Sequence, residues 1–97
     1  MNYYRNVIIE TYSNTQGGSS KSVRARPVAG QGFDTSMNVE CSSGMRKSHA
    51  TGTKFLLQAK LTDREGGSPF LYAHFATPYK VLGEAEVVAY LKENHNT

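Results

Sequence analysis

The stretch "KFLLQAKLTDREGGSPFLYAHFATPY", Lys54 to Tyr79, decides the fold. Phe55, Leu57, Ala59 and Leu61 fall on one side of an extended chain, and Leu56, Gln58 and Lys60 fall on the other. That is the period of two expected of a β-strand. "DREGGS", Asp63 to Ser68, then supplies Asp, two glycines and Ser, the composition of a hairpin turn. In the returning arm Phe70, Tyr72, His74 and Ala76 alternate with Leu71, Ala73 and Phe75. The second set is the more apolar and is assigned to the core, which leaves Phe70, Tyr72 and His74 facing out. Pro78 is expected to end this arm.

Outward from this hairpin the same reading applies. Tyr3 to Tyr12, with Val7, Ile8 and Ile9 at its centre, is rich in β-branched and aromatic residues and reads as a first strand. "SNTQGGSS", Ser13 to Ser20, is a polar breaker. In "SVRARPVAGQG", Val23, Ala25 and Pro27 share one face, and Arg24, Arg26 and Val28 share the other. Pro27 offers no N–H to a ladder, so this strand belongs at a sheet edge, where arginines also discourage edge-to-edge pairing. "MNVEC", Met37 to Cys41, reads as a short strand, and Ser42 to Thr53 as a long polar connection. From Gly83 to Asn94, Val87, Val88 and Leu91 make an apolar stripe, with Glu84 and Glu86 in the first turn and Lys92 in the last. This charge order complements a helix dipole.

With 97 residues the chain suits one domain, residues 1–97. The expected fold is mainly β to α+β: a strongly bent antiparallel five-stranded sheet or small barrel, SH3-like or OB-like, with a short C-terminal helix. Residues 13–20 and 42–53 are expected to be flexible loops, and residues 94–97 a frayed tail.

Charge is unevenly spread. Residues 21–64 hold eight Lys or Arg against three acids, a surplus of five, while the whole chain carries +3. Cys41 is the single cysteine, so an internal disulfide is excluded and a reducing, cytoplasmic setting is expected. The aliphatic run near the N-terminus is too short for a secretory core or a membrane span.

The motifs point away from catalysis. Gly30 and Gly32 open a G-x-G, but Thr35 stands where a third glycine would complete a nucleotide fingerprint, and no GK[ST] follows. Cys41 is in phase with Met37 and Val39 and reads as a small core residue rather than a nucleophile. His49, His74 and His95 are too scattered for a metal centre, so neither metal nor cofactor is expected.

The remaining constellation is basic and aromatic. Arg24, Arg26, Arg46, Lys47, Lys54 and Lys60 could neutralise phosphates while Tyr72 and His74 stack on bases. The expectation is a non-catalytic binding module for single-stranded nucleic acid or another polyanion. The alternative is a protein-interaction or self-assembling module, dimeric or with an acidic protein partner, in which the same rings are buried.

Overall fold

The computed structural model describes residues 3–14, 22–63 and 67–94. They form β1 (Arg5–Asn14), β2 (Ser22–Pro27), β3 (Val39–Glu40), α1 (Ser43–Ser48), β4 (Lys54–Asp63), β5 (Pro69–Tyr72), β6 (Tyr79–Leu82) and α2 (Glu84–Asn94). The sheet runs β2-β1-β4-β5-β3, with β6 also paired to β4. It curls into a nearly closed barrel, as the composition and strand spacing lead one to expect, with the C-terminal helix outside it.

Strand β4 is the hub. Along one edge it pairs antiparallel with β1, from Arg5↔Ala59 to Glu10↔Lys54. Along the other it pairs with β5 (Lys60↔Tyr72 to Asp63↔Pro69) and then with β6 (Leu57↔Tyr79 to Lys54↔Leu82). Residues Ala73 to Pro78 leave the sheet between these two short strands.

The expected return arm is therefore cut short at Tyr72, and Tyr79–Leu82, beyond its expected end at Pro78, adds a sixth strand that period-two reading does not assign. The reason is local. Pro78 lacks a ladder donor, and the chain before it closes on itself: the Thr77 N–H donates to the His74 carbonyl at 2.9 Å and the Ala76 N–H to His74 Nδ1 at 3.1 Å. Leu71 and Ala73 are buried as alternation requires, but Phe75 is 74% exposed rather than in the core. Period-two phasing does not survive the excursion.

Two apolar clusters hold the fold. Inside the barrel lie Val7, Ile9, Ala25, Val39, Met45, Phe55, Leu57, Ala59, Leu71 and Ala73. Outside it, Ile8, Leu82 and Val87 pack with Val28, Leu56, Tyr90 and Leu91 beneath α2. The Val7-Ile8-Ile9 run is thus buried on both faces of β1. Helix α2 begins with a capping contact, the Gly83 N–H donating to Glu86 Oε1 at 2.8 Å. Its Val87 faces the sheet, while Val88 is 63% exposed.

The segment 42–53 contains α1. Ser42 Oγ caps it by accepting the Met45 N–H at 3.2 Å, and Met45 plugs the barrel interior. Residues 15–20 of the expected first loop, 64–66 of the expected hairpin turn and 95–97 of the expected tail lie outside the described residues.

Pro27 ends β2, and a side chain continues its pairing. The Val28 N–H reaches the Ile8 carbonyl at 3.0 Å. Gln31 then folds back, with Oε1 accepting the Ile8 N–H at 2.8 Å and Nε2 donating to Ile8 O at 2.7 Å and Val28 O at 2.9 Å. Its carboxamide stands where the next peptide of a neighbouring strand would be. Gly30 (φ 98°) and Gly32 (φ 88°) supply the left-handed turns on either side of it.

Candidate nucleic-acid interface

Because β1 and β4 pair in register, their even-numbered residues share the outer face. Ile8 and Leu56 lie near the middle of that face, and α2 covers them. The outward polar residues are consequently divided by the helix into two groups.

On one side are Arg24 and Arg26 of β2, Tyr12 and Glu10 of β1, and Lys54 of β4, joined through Arg24↔Tyr12, Arg26↔Glu10 and Glu10↔Lys54. Glu10 accepts Arg26 Nε at 2.9 Å and lies 3.5 Å from Lys54 Nζ. The Arg26 guanidinium rests 4.6 Å from the Tyr12 ring centroid. One carboxylate thus serves two of the bases here, reducing the charge they offer an anion.

On the other side are Tyr4, Asn6, Gln58, Lys60 and Tyr72. Lys60 pairs with Tyr72 across β4 and β5, and its Nζ sits over the Tyr4 ring, 5.3 Å from the centroid. Glu10, the carboxylate that serves Arg26 and Lys54, does not serve Lys60. The Ala73–Pro78 excursion borders this group and carries His74 stacked on Phe75, ring centroids 4.5 Å apart and planes 28° apart. Between Tyr4 and the excursion is a shallow depression of about 380 Å³, lined by Tyr4, Gln58, His74, Ala76, Thr77 and Pro78.

The remaining expected bases lie elsewhere. Arg46 is drawn into the seam between β2 and β3, where its Nη1 donates to the Val23 carbonyl at 2.7 Å and its Nε is buried with no partner among the described residues. Lys47 is exposed on α1. Of the eight expected site residues, then, Lys60, Tyr72 and His74 come together, Arg24, Arg26 and Lys54 form a second group beyond α2, and Arg46 and Lys47 belong to the α1 region, with Arg46 meeting Arg24 in a depression along the β2–β3 seam. Tyr4, Asn6 and Gln58 are additions to the expected set, and Phe75, expected in the core, is exposed beside His74. Period-two counting from Ile8 and Leu56 puts Tyr4, Asn6 and Gln58 outside, but only the register shows that they meet Lys60.

Cys41 is half-buried, and burial pushes its thiol above the ordinary range, partly opposed by the charge of Arg46. Asp34, fully exposed, is held below the usual carboxylate range by hydrogen bonds from the Ser36 N–H and hydroxyl. His49 shares a hydrogen bond with the Tyr79 hydroxyl at 3.1 Å and packs edge-on against Phe55. Among the described residues no three His, Cys, Asp or Glu side chains converge as a metal group, and no helix is long and apolar enough to cross a membrane. Comparison of the chain with protein-family models, with curated proteins and with solved structures finds no match. A function for the chain must therefore be argued from its fold and its surface chemistry.

Proposed function

We propose that this protein is a small non-catalytic module that binds single-stranded nucleic acid on the outer face of β4 and β5, beside α2. The observation that carries the reading is the grouping of Lys60, outside the Glu10 network, with Tyr4, Tyr72 and the exposed His74–Phe75 stack. Exposed rings offer stacking surface to unpaired bases, worth about 1–3 kcal/mol per base, and a neighbouring ammonium meets the phosphate. A duplex hides its base faces, which is why a single strand is the fitting ligand. Arg24, Arg26 and Lys54 lie beyond α2 and extend the positive field as a second, weaker contact for a longer strand.

The test is fluorescence anisotropy of a labelled single-stranded oligonucleotide titrated at several salt concentrations. Affinity should fall linearly in log–log form, by roughly 0.7 per phosphate neutralised. Absence of a salt-sensitive change at micromolar protein rejects the reading.

One observation favours a second reading, self-association. The β6 edge away from β4 has no strand beside it among the described residues, and Val81 there is 44% exposed beside the exposed Tyr79. A second copy pairing β6 to β6 would cover both. Light scattering after size exclusion distinguishes the readings: a salt-insensitive dimer supports this one.

A further inference from the structure

The depression beside Tyr4 has a composition that the phosphate-and-ring scheme does not use. Its lining includes no cation and no carboxylate: a phenol ring, an imidazole, the carboxamide of Gln58 and the small or apolar surface of Ala76, Thr77 and Pro78. A site for phosphate would place the cation within it, whereas Lys60 lies over the Tyr4 ring and outside the lining.

Gln58 is exposed, and its carboxamide forms no hydrogen bond among the described residues. It projects from the middle of β4, directly across from Asn6 on β1. Its backbone is therefore held by the sheet, while its side chain offers one acceptor oxygen and two N–H donors. His74 is also positioned: with Nδ1 accepting the Ala76 N–H at 3.1 Å, the neutral ring carries its proton on Nε2, and Phe75 supports its plane.

Resting on the single-strand reading above, we infer that this depression takes one unstacked nucleobase, with Gln58 reading its edge and adenine the preferred base. A carboxamide pairs best with an edge that sets an N–H beside an acceptor. Adenine presents that arrangement twice, N6–H with N1 and N6–H with N7. Guanine's N7 and O6 are both acceptors, so that edge does not offer it and only N1–H beside O6 does, while cytosine (N4–H beside N3) and thymine (N3–H beside O4) offer it once and with a single-ring stack against Tyr4. Bidentate glutamine contacts to adenine are a recurrent means of base discrimination. In this arrangement the base enters beside Tyr4 and its phosphate lies toward Lys60.

The experiment compares short homopolymers of deoxyadenosine, deoxycytidine and deoxythymidine with an abasic strand of equal length, against the wild-type protein and Gln58→Leu. The wild type should favour the adenine strand roughly tenfold over the pyrimidine strands and lose most affinity for the abasic strand. Gln58→Leu, a surface change with the wild-type thermal midpoint, should bring the three base-bearing strands together while keeping the salt slope. Equal wild-type affinities, a preference for a pyrimidine, or an adenine preference that survives Gln58→Leu overturns the base assignment and leaves the binding module standing. If no strand binds at all, the single-strand reading itself has failed and the inference falls with it. Should Gln58→Leu fold poorly, Gln58→Glu, which keeps the size of the side chain and removes its N–H donors, is read by the same comparison, and an adenine preference that survives it overturns the assignment in the same way.

Discussion

Replacing Gln31 by leucine keeps the volume of the side chain and removes its carboxamide, and the structure sets the expected cost. Ile8 is fully buried, and its N–H has Gln31 Oε1 as partner at 2.8 Å. Without that oxygen the amide is left unpaired in the interior, at about 1–3 kcal/mol. The Ile8 carbonyl keeps the Val28 N–H at 3.0 Å, and the Val28 carbonyl is only partly buried, so losing their bonds to Nε2 adds less, about 1 kcal/mol together. The sum is about 2–4 kcal/mol, against a total of about 5–15 kcal/mol for a domain of this size. Urea unfolding followed by circular dichroism measures it, with the same m-value expected for both proteins. Hydrogen exchange at the Ile8 amide localises it, because protection there should fall more than at Val7 or Ile9, which face β4. A loss below about 0.5 kcal/mol, within the usual range of surface substitutions, or unchanged exchange at Ile8, refutes the claim that this side chain stands in for a strand.

Other perturbations separate the readings just as directly. Phe75→Ala should change stability by less than about 0.5 kcal/mol, where a core phenylalanine would cost about 3–5 kcal/mol, and should weaken oligonucleotide binding by about 1–3 kcal/mol; thermal melts and anisotropy read the two. Lys60→Gln should lower the salt slope by roughly 0.7, whereas Arg26→Gln, whose charge is shared with Glu10, should lower it less. Because the Cys41 thiol is shifted upward, its thiolate is scarcer than that of a free thiol at neutral pH, and iodoacetamide should label the folded protein more slowly than glutathione until well above the ordinary thiol range. By linkage, an acid whose folded pKa is raised favours the folded state below its unfolded value, so that contribution from Cys41 declines as pH rises through the thiol range.

What the chain determines by itself is local. Phe55, Leu57 and Ala59 inside with Lys54, Gln58 and Lys60 outside follows from strand periodicity alone, as does the outward aim of Arg24 and Arg26 opposite the buried Ala25 and Pro27. The α2 segment is legible from its dipole-matched charges and apolar stripe. Helix α1 is not, because six residues are too few to show a helical period, and its stability comes from the Ser42 cap and the burial of Met45. Nor is the break at Ala73, which depends on how Pro78 and the turn around His74 interrupt a ladder. The grouping of surface residues was beyond local reading for a different reason. Which outward side chains become neighbours depends on inter-strand register, which sets Lys60 opposite Tyr72 and Arg26 opposite Glu10, and on α2 crossing the same face over Ile8 and Leu56. Periodicity assigns a side chain to a face, but only the packed sheet and helix determine its company there.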